Sequence, residues 1–124
     1  MIDFTNGTFF KLKQVNPDSI LKDIELLLVP SEEVISAYKG IRDYVVFTDK
    51  RVIAVNVQGM TGKKKDFTSL PYAKISAFSV ETSGVLDLDS ELEMYFSGLG
   101  KVKFEFTGRS DIVRIGQIIG SYAL

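Results

Sequence analysis

The sequence predicts a mainly β domain: about seven consecutive antiparallel strands forming a small barrel or sandwich, with one opening covered by a C-terminal helix. Three observations predict it. Residues 75–92 begin as an alternating strand (Ile75, Ala77 and Phe78, Val80), break at Ser83-Gly84, and resume as Val85, Leu86, Leu88 and Leu92 interleaved with Asp87, Asp89 and Glu91. Lys101 to Phe106 then alternates without a fault, which sets Val102, Phe104 and Phe106 on one face. After Gly108 the period changes, and Ile112, Ile115, Ile119 and Tyr122 fall on one stripe of a helix.

Taken in order, Met1 to Val15 carries Phe4, Phe9 and Phe10, too many aromatics for a free tail, and reads as either a short strand or an arm laid on the body. A helix should follow: Asn16 is a good N-cap, Pro17 fits the first helical position and Asp18 suits the positive end of the dipole. Ile20, Ile24, Leu27 and Leu28 share one face of it, and Pro30 stops it. Val34 to Tyr38 reads as a strand broken by Gly40. Tyr44 to Phe47 and Arg51 to Val57 make a hairpin around Thr48-Asp49-Lys50. Gly59-Met60-Thr61-Gly62 is a turn leading through Lys63-Lys64-Lys65 to a strand from Asp66 to Leu70, ended by Pro71. Glu93 to Phe96 continues the central segment, Ser97 to Gly100 turns, and Ser110 caps the last helix with Asp111 in its first turn. One domain results, with an arm and helix over residues 1–30, strands over 33–107 and the closing helix over 110–123.

Composition narrows the chemistry. The chain has 124 residues, 45% hydrophobic and 25% charged, enough to bury a core in a single globular domain. A net charge of −1 supplies no global field for nucleic acid. Neither Cys nor His is present, which removes disulfides, Ser–His and Cys–His nucleophile pairs and soft metal sites. No signal-peptide pattern opens the chain and no apolar run approaches the ~20 residues of a membrane span, so a cytoplasmic protein is expected. Neither a cofactor nor catalytic residues are expected.

Phe47-Thr48-Asp49-Lys50-Arg51, Gly59-Met60-Thr61-Gly62-Lys63-Lys64, Pro71-Tyr72 and Phe78 to Leu92 occur in the order in which the bacterial pleckstrin-homology-like (PH-like) family carries such phrases. The chain resembles that family, formerly a domain of unknown function, from about Pro17 to its C-terminus. The resemblance implies a PH-type barrel of two near-orthogonal antiparallel sheets closed by the C-terminal helix, with the N-terminal helix as an addition. It also implies a ring-like homo-oligomer, and no catalytic residues. Eukaryotic relatives usually carry a Trp in the final helix; none occurs here, so Ile115, Ile119 or Tyr122 must fill the barrel mouth.

Four features are candidates for function. Eukaryotic PH domains bind phosphoinositides through Lys and Arg on the first two strands and their loop, where this chain has Lys39 and Arg42, the latter offset by Asp43. Lys63, Lys64 and Lys65 stand at another hairpin end, with Lys50 and Arg51 at a third, and solvated turn lysines are the plainer explanation. The run Asp87, Asp89, Glu91 starts like a calcium loop, but Leu92 stands where a Gly is needed and Gly98 where the bidentate Glu belongs, so an outer strand face explains it better. Gly116 and Gly120 suggest close packing of the last helix on the barrel or on the N-terminal helix. Finally, a barrel with its closing helix reads as complete without Met1 to Val29, so Ile20, Ile24, Leu27 and Leu28 must be buried either on that barrel or on a neighbouring subunit.

The expected function is a non-enzymatic binding or scaffolding module that self-assembles into a ring-like homo-oligomer. Its partner is a second copy of itself, with another protein or peptide as a further candidate. The alternative is a peripheral adaptor that binds anionic lipid through Lys39, Arg42 and Lys63 to Lys65.

Overall fold

The computed structural model describes residues 1–4, 9–82, 84, 89–108 and 111–124, and the backbone alone of Phe10. Eight strands follow one another: β1 Phe9–Val15, β2 Val34–Lys39, β3 Tyr44–Thr48, β4 Arg51–Gln58, β5 Lys64–Pro71, β6 Ile75–Glu81, β7 Ser90–Phe96 and β8 Gly100–Phe106. Two α-helices occur among the described residues, α1 Leu21–Ile24 and α2 Ile112–Ala123.

The strands lie in the order β5-β4-β3-β2-β1-β8-β7-β6. Every neighbouring pair is antiparallel except β1 and β8, which run parallel with Phe9 opposite Phe104 and Leu12 opposite Phe106. This corrects the sequence expectation in three ways. There are eight strands among the described residues rather than about seven, one pairing is parallel, and the sheet does not close: β5 and β6 have a ladder on one side only. The first fifteen residues are not an optional arm, because β1 is the strand that joins β2 to β8. A barrel complete without Met1 to Val29 is therefore not what forms.

Side chains on the inner face make the main core, with Tyr38, Phe47, Leu92, Met94, Phe104 and Phe106 packed against Ile115 and Ile119 of α2. Tyr38 meets the edges of Phe47 and Phe106, at ring separations of 5.7 and 4.9 Å. The outer face of β2 to β4 carries a second apolar layer of Ala37, Tyr44, Val46, Ile53 and Val55, covered by Ile20 and Ile24. Burial on both faces is why Tyr44 to Phe47 and Val52 to Val55 read as unbroken apolar runs instead of alternating.

The N-terminal helix departs from expectation. Asn16 does cap a turn at Pro17–Ser19, accepting from the Asp18 N–H at 3.0 Å, but this turn and the turn at Glu25–Leu27 are 3-10, leaving only the four residues of α1 between them. Asp111 caps α2 by accepting from the Arg114 N–H at 3.2 Å. Ser110, expected in that role, lies outside the described residues, as do Ser83 and Val85 to Leu88, where the central segment was expected to turn and resume.

α2 lies on β6 through its glycines. A Cβ on Gly116 would stand 3.0 Å from Val80 Cγ2, and one on Gly120 would stand 3.8 Å from Phe78 Cζ. Close packing on the sheet is thus the reason for the Gly-xxx-Gly spacing. Gly116→Leu is expected to push α2 off β6 and destabilise the fold by about 1–3 kcal/mol, the usual range for overpacking, which a urea melt would measure. No helix among the described residues is long and apolar enough to cross a membrane.

Candidate functional site

Two loops define one end of the molecule: residues 40–43 between β2 and β3, and residues 59–63 between β4 and β5. Both are tight. Gly40 N–H donates to the Asp43 carbonyl at 2.8 Å, and Gly59 and Gly62 take positive φ values of 77° and 68°, which suit Gly best. The Arg42 guanidinium donates to the Gly59 carbonyl and so ties the loops together. Asp43 does not offset Arg42 by pairing with it. Its carboxylate is held inward by Asn56 Nδ2 at 3.2 Å and by the Val57 N–H at 2.9 Å.

Between these loops and α1 lies a cleft of about 400 Å³. Lys39, Arg42 and Lys65 line it, so three of the five basic residues singled out from the sequence converge. Lys63 and Lys64 lie beside it on the same loop and the start of β5, whereas Lys50 and Arg51 are at the opposite hairpin end. Sequence reasoning missed Asp23, which accepts from the Tyr44 hydroxyl at 2.7 Å and stands 3.9 Å from Lys65 Nζ. Burial first, and then the Asp23 carboxylate, push the Tyr44 phenol well above its usual range, so it stays a neutral donor. It missed Ile41 and Met60 as well, the exposed tips of the two loops. Each is an apolar residue set among turn residues (Gly40 and Arg42, Gly59 and Thr61), and that was the available signal.

The opposite end is organised by a buried ion pair. Arg51 grips Glu32 through Nε at 2.9 Å and Nη2 at 2.8 Å. The carboxylate also accepts from Thr48 Oγ1 at 2.7 Å and the Val29 N–H at 3.1 Å. Arg51 reaches further, to the Leu27 carbonyl at 2.7 Å and Ser69 Oγ on β5 at 2.8 Å. Burial alone would raise the Glu32 pKa, but the hydrogen bonds from Arg51, Thr48 and Val29, with the Arg51 charge, outweigh it and hold the carboxyl below its ordinary range.

The residues considered for assembly separate into two groups. Ile20 and Ile24 are buried in the chain's own outer layer, Leu28 is half-buried against it, and Leu27 is exposed. Leu26 and Val29 are exposed beside Leu27, and Leu26 is 94% accessible. The acidic run leads into β7, in the other half of the strand order: Lys103 bridges Glu91 and Glu105 at 3.3 Å each, and Asp89 accepts from Thr107 Oγ1 at 2.8 Å. Asp87 falls outside the described residues.

A family model described as the bacterial PH domain matches residues 3–123. An uncharacterized protein of Bacillus subtilis (strain 168), YjqA, is 39% identical over 123 residues, covering 98% of each chain. A DUF1696 family protein with a pleckstrin-homology domain from Shewanella loihica PV-4 superposes with a TM-score of 0.78 at 36% identity, over 95% of this chain and 100% of that one. A pleckstrin homology domain from Shewanella amazonensis SB2B gives a TM-score of 0.67 at 38% identity, over 96% and 93%.

Proposed function

The chain belongs to the bacterial PH domain family, and from that premise we propose that it is a non-enzymatic cytoplasmic module that assembles head to tail into a ring-like homo-oligomer. The two halves of its sheet would meet about β1 as the near-orthogonal sheets of a PH-type fold.

One observation carries the reading: among the described residues the eight-stranded order ends in two unlike unpaired edges, β5 and β6. An open strand edge offers a row of backbone donors and acceptors to another chain. Because the two edges differ, joining one to the other in the next copy is a heterologous contact, and such contacts close into rings when the rotation allows. The exposed Leu26, Leu27 and Val29 support the same reading, since Arg51 bonds both Leu27 and Ser69 and so sets this apolar patch beside β5.

Native mass by light scattering is expected to give one discrete multiple of the 13.8 kDa chain, stable on dilution and in high salt. Leu26→Glu combined with Leu27→Glu should reduce that mass to the monomer without altering the circular dichroism. A monomer at every concentration of the unaltered chain overturns the proposal.

The convergence of Lys39, Arg42 and Lys65 on one cleft supports a second reading, in which this end of the molecule binds an anionic surface. Sedimentation with vesicles should then weaken steeply as salt is raised, because exposed charges are screened within about 10 Å at 0.1 M.

A further inference from the structure

We propose that a cavity on the inner side of the β2–β3 loop binds a small amphiphilic amine, its ammonium group on Asp43 and its compact apolar body against β1. The inference stands apart from both readings above, since it concerns neither self-association nor an anionic surface.

The cavity holds about 260 Å³ and lies between β1 and residues 40–43. Phe9 and Leu12, both buried in the main core, form its apolar wall together with Ile41 and Val57. Asn56 follows the main-core residue Ala54 by two positions in β4, so it too faces inward. Cavities for drug-sized ligands run from about 300 Å³ upward, so only a compact body fits this one.

Asp43 supplies the charge. Asp23, Glu32 and Asp66 each have a cationic partner, at 3.9, 2.8 and 3.0 Å, whereas the ion pairs among the described residues leave Asp43 out. Its hydrogen bonds come from neutral groups only, the Asn56 amide and the Val57 N–H. Gln58 Nε2 donates to Asn56 Oδ1 at 2.9 Å and thereby turns the Asn56 amide donor toward the carboxylate. A half-buried carboxylate gains most from a partner that brings both a donor and a counter-charge, which is what an ammonium does. Oδ1 accepts twice and Oδ2 once, so acceptor capacity remains on Oδ2. Arg42 also lines the cavity, but its guanidinium is engaged by the Gly59 carbonyl. The neighbouring strand shows the same chemistry satisfied. Asp66 stands directly opposite Asn56 in the β4–β5 ladder and holds the Met1 ammonium.

Phenethylamine added to the isotopically labelled full-length protein is expected to shift the backbone amides of Gly40, Asp43, Asn56 and Val57 in a saturable way. Phenethyl alcohol has the same body without the charge and should bind about tenfold more weakly or worse, the worth of one hydrogen bond to a charged group. Hydrocinnamate, with a carboxylate in place of the amine, should not bind. Asp43→Asn keeps an acceptor for the Val57 N–H and should lose the same factor in phenethylamine affinity, with circular dichroism unaltered. Should that variant misfold, the three probes on the unaltered chain still decide the matter. No saturable shift at millimolar phenethylamine, equal binding of the alcohol, or shifts confined to other carboxylates would each overturn the proposal.

Discussion

Arg51→Met is expected to destabilise the fold by about 3–5 kcal/mol, the usual cost of stranding one member of a buried ion pair. The Glu32 side chain has no exposed surface and Arg51 is its only cationic partner among the described residues, so removing the guanidinium leaves a carboxylate without its counter-charge. The same substitution frees the Leu27 carbonyl and Ser69 Oγ, loosening the N-terminal segment from the β3–β4 hairpin and from β5. Urea unfolding would show it as a large drop in midpoint. Adding Glu32→Gln to Arg51→Met should recover part of the loss, since the uncompensated charge is then gone.

The pair also sets a pH dependence. Because the folded pKa of Glu32 lies below its ordinary 4.5, the folded state favours the ionised form. Its contribution is complete above about pH 4.5 and is lost as pH falls through the lower folded value. Midpoints measured from pH 6 downward should fall in that window for the native protein, with the fall reduced in the double variant.

Deletion of residues 1–15 should abolish cooperative folding altogether. β1 is the only strand shared by the two halves of the sheet among the described residues, and its Phe9 and Leu12 are buried in the main core. Phe9 packs edge-on against Phe104 with ring centroids 5.6 Å apart, and Phe4 lies over both. Truncating one such Phe costs about 3–5 kcal/mol and a buried Leu about 2–5 kcal/mol. Together they reach the ~5–15 kcal/mol that a whole domain has in reserve. Thermal denaturation should show no sigmoidal transition for the deleted chain. A sharp melt near that of the intact protein would mean that β2 and β8 can meet without β1.

The local elements were legible where sequence spacing alone decides them. The hairpin at Thr48-Asp49-Lys50, the turn at Gly59 to Gly62, the alternation of β8 and the Ile112, Ile115, Ile119 stripe each follow from residue type and period. The parallel β1–β8 pairing has no such local signature, since it depends on residues at opposite ends of the chain. The N-terminal helix failed for a different reason. Ile20 and Ile24 have helical spacing and are buried as that spacing implies, but Arg51 captures the Leu27 carbonyl and Glu32 captures the Val29 N–H. These are backbone groups that a continuing helix would use, and the tertiary contacts win over propensity. At the candidate site the basic residues were visible as letters. Their convergence was not, because it depends on two loops being brought together by strand register and by the Arg42 to Gly59 bond.

The place of β1 also governs the order of events during folding. It is synthesised before every other described strand, yet one of its two neighbours, β8, is made after all of them. The hairpins from β2 to β5 and from β6 to β8 involve short loops and can form early, but the joint between them must wait for nearly the whole chain. Until then the first strand has an unsatisfied side, and its aromatic residues stand in water where other chains can reach them. A ribosome-bound chain lacking β8 should therefore bind holdase chaperones, and release of the complete chain should end that binding.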